Sequence, residues 1–125
     1  MTLPDKFFEV ISYEGVVSIV SWGNDEPHIT NTWNSYLVIL DKNKILIPAA
    51  GMHSTEKDIL LNNKVKITLG SKAVEGFNGY QGTGFLITGN ASFYYDGEYF
   101  NIMKNKLSFI SRVIVVNVET CKQLL

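Results

Sequence analysis

Apolar and polar positions divide the chain into short segments with different periods. Between residues 4 and 13, Phe7, Phe8, Val10 and Ile11 gather near one side at helical spacing, with Pro4 suited to a first helical position and Gly15 able to end the run. This predicts a short helix. From residue 16 to Trp22 the chain turns β-branched and aromatic, and it closes in the turn-rich Gly23, Asn24, Asp25, Glu26 and Pro27. Extended character returns over 28–40, and a polar turn at 41–43 precedes a β-rich run over 44–48. Ser54 or Thr55 can then cap a helix whose interior spans 56–62.

A strand is expected over 65–69. The stretch 70–84 holds five of the ten glycines together with Asn78 and Gln81, which predicts a long mobile connection. Residues 85–95 form a long strand with Gly89 as a bulge, 96–97 a turn, 98–109 an amphipathic helix and 112–118 a last strand. Consecutive strands joined by tight turns pair antiparallel, because a short turn cannot make a parallel crossover. A sheet closed on itself leaves few edges, so a mainly β, barrel-like fold with peripheral helices is expected.

At 125 residues the chain fits a single domain over 1–125, and 46% hydrophobic with 18% charged residues suits a globular core. Eleven basic and twelve acidic residues leave a net charge of −1, with no basic block to neutralise phosphates, so nucleic-acid binding is not expected. The N-terminus lacks a signal-peptide pattern, and the longest apolar stretch, 45–52, is broken by Pro48 and Gly51. A cytoplasmic protein with no membrane span is the expectation. The single Cys121 builds no disulfide framework and has no histidine close in sequence. His28 and His53 have no second ligand at metal spacing, so no metal site is expected. Gly82-Thr83-Gly84 begins like a dinucleotide fingerprint but leads into a β-type run, which rejects a Rossmann site.

Two segments are harder to explain as scaffold. Asn31-Thr32-Trp33-Asn34-Ser35-Tyr36 presents six hydrogen-bonding side chains in succession within an extended run. It is either a solvated edge strand or a ligand wall. In the second segment, Pro48, Ala49, Ala50, Gly51, Met52 and His53 lead into Ser54, Thr55 and Glu56. Small residues admit a ligand to the backbone, and a helix N-terminus favours an anion, although an ordinary cap uses the same residues.

These segments resemble the flavin-binding split-barrel group, relatives of pyridoxamine 5′-phosphate oxidase. The resemblance runs in order through 7–10, 14–17, 31–37, Gly51-Met52-His53 with Thr55-Glu56, 68–71 and 82–87. It implies a six-stranded antiparallel split β-barrel, a homodimer, and one non-covalent FMN per subunit near the dimer interface. The implied FMN contacts are Asn31, Thr32, Trp33, Asn34 and Ser35 for the ribityl chain and ring, and Ala50, Gly51, Met52, His53, Ser54 and Thr55 around the phosphate. Thr83 and Gly84 allow close backbone approach, and Leu125 is contributed by the partner subunit. Members of the group commonly place a lysine after the Gly-Met-His tripeptide. Here that position is Ser54, with Lys57 the expected substitute, and Phe109 stands where relatives present a tryptophan.

The function implied is a flavoprotein of electron transfer or small redox role with an unidentified redox partner. Alternatives are a flavin- or nicotinamide-linked reductase or oxidase, or a non-redox module for haem or a deazaflavin. Oxidation of a phosphorylated amine requires a second cationic anion site, yet Arg112 is the only arginine.

Overall fold

A computed structural model describes residues 2–125. The elements are α1 (Asp5–Ile11), β1 (Val16–Ser21), β2 (His28–Trp33), β3 (Val38–Leu40), β4 (Lys44–Ala49), α2 (His53–Leu61), β5 (Lys64–Glu75), β6 (Gln81–Tyr94), α3 (Gly97–Lys106) and β7 (Arg112–Gln123). All strand pairs are antiparallel, and the sheet order is β2-β1-β5-β6-β7-β4-β3. The fold is therefore mainly β, a curled antiparallel sheet with three short helices, as the sequence implied. Among the described residues it has seven strands rather than six.

The additional strand arises within 28–40. Asn34–Tyr36 forms a single 3-10 turn that breaks the extended run into β2 and β3. These two strands are the opposite edges of the sheet, yet only residues 34–37 separate them. Five residue steps span at most about 18 Å, so the sheet must curl until its edges approach.

The glycine-rich stretch 70–84 is not the long mobile connection its composition suggested. β5 and β6 pair through it, with Gly70 opposite Gly84, and a short turn at Phe77–Gly79 joins them. A Cβ on Gly84 would stand 2.5 Å from the Leu69 carbonyl oxygen, so the glycine permits close strand contact. Gly89 sits at a register shift against β7, as the bulge reading anticipated.

Alternation explains the packing. β1 and the first half of β5 bury every second residue, while β4 and the first half of β7 are buried on both faces. The main core gathers Phe7, Val10, Ile19, Ile45, Ile47, Ile67, Phe85 and Ile114 inside the curl. A second cluster, Leu46, Met103, Ile110, Val113 and Val115, lies where α3 covers the outer face of β4 and β7. Phe7 plugs the main core from α1, with its ring edge-on to Phe8 at 5.5 Å and to Phe85 at 5.9 Å. Cys121 on β7 is half-buried, and burial pushes its thiol pKa up to about 11. Among the described residues, no helix is long and apolar enough to cross a membrane.

A polar clamp docks α2. The nearly buried Asp58 carboxylate accepts hydrogen bonds from Ser21 Oγ at 2.8 Å and from His28 Nδ1 at 2.7 Å. Burial pushes the Asp58 pKa up, but the bonds from His28 and Ser21 and the charges of His28 and Lys57 overcome it, leaving a net lowering. The hydrogen bond to Asp58 raises His28.

Two outcomes follow from this packing. Phe7→Ala removes a fully buried ring and should cost about 3–5 kcal/mol in urea unfolding; a loss under about 1 kcal/mol would detach α1 from the core. For the clamp, a raised His28 stabilises fully below the ordinary histidine value of 6.5 and loses its contribution as pH rises through the raised folded value. A lowered Asp58 stabilises above the ordinary value of 3.8 and fails as pH falls through the lowered one. The Tm advantage of the natural chain over His28→Gln should therefore be greatest between these limits and shrink as pH rises through the raised histidine value; a pH-independent difference would contradict the clamp.

Candidate functional site

At the seam between the sheet's edges, a cleft of about 330 Å³ is lined by Thr30, Asn31, Thr32, Trp33, Tyr36, Pro48, Ala50, Gly51, Met52 and Phe109. It joins the outer edge of β2 to the end of β4 and the entrance of α2. Six of the residues implied as FMN contacts meet here: Asn31, Thr32, Trp33, Ala50, Gly51 and Met52. Trp33 is half-exposed, while Tyr36 and Phe109 stand with ring centroids 5.9 Å apart, so flat apolar surface borders the polar wall.

The turn into α2 differs from the cap expected. Met52, not Ser54 or Thr55, is the N-cap residue, and no side chain caps the helix. Ser54 and Thr55 lie inside the first turn. Met52 adopts φ 62° and ψ 36°, a left-handed conformation that costs a non-glycine residue about 1–2 kcal/mol. Such strain persists where the surroundings over-determine it, and it clusters at ligand sites. Among the described residues, no backbone N–H from 51 to 55 donates a hydrogen bond within the chain. The Thr32 and Thr55 side chains are buried, 7% and 2% exposed. A Cβ placed on Gly51 would meet nothing within 4 Å. Donors without acceptors and unfilled space at a positive helix end form a seat for an anion.

The other implied contacts sit elsewhere in the chain. Asn34 donates through Nδ2 to the Tyr13 and Gly70 carbonyls, and its buried Oδ1 has no partner. Ser35 donates to Glu14 from its N–H at 3.1 Å and its hydroxyl at 2.6 Å, and the hydroxyl bond lowers the Glu14 pKa. Both residues brace the turn that crosses the seam. His53 is exposed at the first position of α2. Thr83 and Leu125 line a separate cleft of about 360 Å³ with Ser71, Lys72, Tyr80, Gln81 and Gly82. There the Thr83 hydroxyl donates to the Leu125 carbonyl at 2.8 Å. Gly84 is buried against β5. This cleft and the seam share no lining residue.

Ser54 and Lys57 line a third cleft, of about 480 Å³, with Asp25, His28 and Asp58. Lys57 thus lines the clamp rather than the seam, which corrects its expected place as substitute for the lysine. The ligand atoms of Asp25, His28 and Asp58 lie within 4.8 Å of one another, a grouping hidden from the sequence because Asp58 is thirty residues beyond His28. A further depression, of about 550 Å³, lies along α2 and β6, and it contains none of the implied contacts.

Sequence reasoning also missed Arg112, whose side chain is 4% exposed. Its guanidinium donates to Glu56 Oε1 at 2.6 Å, to the Ala50 carbonyl at 3.0 Å and to the Gly51 carbonyl. Its cationic carbon stands 5.3 Å from the centre of the Phe93 ring. Tyr95 donates to the second oxygen of Glu56, which raises the tyrosine's pKa. The one sequence signal for this arrangement is that Arg112 is the chain's single arginine.

Comparison with known proteins places this geometry in context. The FMN-binding protein of Nitratidesulfovibrio vulgaris (strain Miyazaki F) is 46% identical over 123 residues, covering 98% of this chain and 99% of that protein. A solved structure of HupZ from group A Streptococcus superposes with a TM-score of 0.81 at 15% identity, covering 98% of this chain and 94% of that one. An FMN-binding protein from Syntrophomonas wolfei superposes with a TM-score of 0.76 at 17% identity, covering 97% and 85%. The sequence profile of the family described as pyridoxamine 5′-phosphate oxidase matches residues 3–124, and the chain belongs to that family.

Proposed function

We propose that the chain binds FMN non-covalently at the seam, as a homodimer, and serves electron transfer with a redox partner. The observation that carries this reading is the run of undonated N–H groups over 51–55, set beside the buried Thr32 and Thr55 side chains and flanked by Trp33 and Tyr36. An FMN phosphate carries nearly two negative charges and suits amide donors at a helix start, while the isoalloxazine suits flat side chains with polar neighbours. When bound, FMN supplies the redox chemistry, and the protein supplies binding, orientation and access. The relative named as an FMN-binding protein, matched along nearly its full length, supports the same ligand.

Two features support a dimer. The seam cleft, about 330 Å³, is at the small end of the roughly 300–1,000 Å³ typical of ligand sites. Thr83 and Leu125, implied as contacts, lie in a different cleft. A second copy that brings its tail to the seam would complete the enclosure. Oxidation of a phosphorylated amine is disfavoured, because the sole arginine is committed to Glu56 and two carbonyls and leaves no guanidinium for a second anion.

Purified protein incubated with FMN should acquire flavin absorbance, and native mass spectrometry should show two chains with two FMN. A colourless protein would end the flavin reading, and a saturated monomer would end the dimeric one. Thr55→Ala should weaken FMN by about tenfold while affecting riboflavin far less, since a hydrogen bond to a charged group contributes about 1.5–3 kcal/mol. Equal losses would show that the hydroxyl does not face the phosphate. Gly51→Ala, whose methyl enters open space, should keep the Tm but lower flavin affinity; unchanged affinity would place the ligand elsewhere.

A further inference from the structure

The sole arginine does not border the seam cleft, yet it holds the turn that does. Arg112 begins β7, paired with Ala49 at the end of β4, so its side chain starts beside the strand end from which the turn leaves. One nitrogen, Nη2, donates to the carbonyls of both Ala50 and Gly51, while Nη1 is taken by Glu56 in the first turn of α2. Ser111 adds a second anchor, donating through its N–H to Ala49 and through its hydroxyl to Ala50.

The peptide bond makes these contacts consequential. In a trans peptide the C=O and the following N–H point in opposite directions, and no peptide here is cis. A carbonyl of Ala50 turned to the guanidinium therefore turns the Gly51 N–H away from it. The Gly51 carbonyl does the same for the Met52 N–H. Both residues line the cleft, and neither N–H is used within the chain. Successive N–H groups held in a turn make a concavity for anions. The left-handed Met52 backbone is what such an arrangement requires, and the guanidinium is the group that over-determines it.

Charge and geometry can be separated. The guanidinium is neutralised by Glu56 at 2.6 Å, so the pair contributes little net field at the seam. What remains is its fork of donors, which a lysine cannot reproduce. We infer that Arg112 is the positioning residue of a phosphate seat: by fixing the Ala50 and Gly51 carbonyls it presents the Gly51 and Met52 amides to a phosphate monoester. This rests on the flavin reading above.

The test compares dissociation constants for FMN and riboflavin, which differ only in the phosphate, alongside Tm. Arg112→Lys keeps a cation but cannot bond Glu56 and both carbonyls. The paired change Arg112→Met with Glu56→Gln removes the ion pair without leaving a lone buried charge, and covers the case in which the first variant folds poorly. Both should weaken FMN by about tenfold or more while riboflavin changes under about threefold, the gap a lost charged hydrogen bond produces. Equal loss of both flavins, or a lowered Tm with an unchanged FMN-to-riboflavin ratio, would overturn the positioning role while leaving FMN binding intact. A natural protein that binds neither flavin would overturn the flavin reading, and this inference with it.

Discussion

Residues 34–37 are the shortest tether in the molecule relative to what they join. They connect strands at opposite edges of a seven-stranded sheet, and so little chain cannot reach across a flat sheet of that width. Curling is thus imposed by connectivity as well as by strand twist. Asn34 secures the tether, since its amide holds the Tyr13 and Gly70 carbonyls and so pins the crossing to the loop before β1 and the middle of β5. Everything at the seam depends on that closure. The polar side of β2 and the exit of β4 face a common space because the edges have been brought together.

The seam in turn explains why the second unusual segment departs from ordinary capping. A Ser or Thr at the N-cap would satisfy one early amide of α2. The chain instead places Met52 there and leaves the amides open. That choice lowers stability in isolation, and a buried ion pair such as Arg112–Glu56 is rarely a net source of it. Both features are coherent once the turn is regarded as shaped for an anion rather than for the chain's own packing. Phe93 beneath the guanidinium, and Tyr95 on the far oxygen of Glu56, hold the pair in one geometry.

Most of the elements were legible because period and turn chemistry agreed. Alternation in β1 and the helical spacing of Phe7 and Val10 both correspond to burial in the structure. Composition misled where glycine had two meanings: between 70 and 84 it signals close strand contact at Gly70 and Gly84 and a turn at Gly79, which a count of glycines cannot separate from flexibility. The polar run 31–36 was visible as unusual, but its break at Asn34 was not, because a single 3-10 turn has no periodicity to detect. Least legible were the contacts made at a distance. Arg112 meets Glu56 across fifty-six positions, and Asp58 meets Ser21 across thirty-seven. Only a folded sheet brings such residues together.

Burial gives Cys121 a particular chemical temper. A thiol whose pKa has moved to about 11 is almost wholly protonated near neutrality, and thiolate is the form that attacks disulfides or takes up oxidants. Cys121 is the chain's one sulfhydryl, so its burial on β7 leaves the protein with a single thiol that is slow to react.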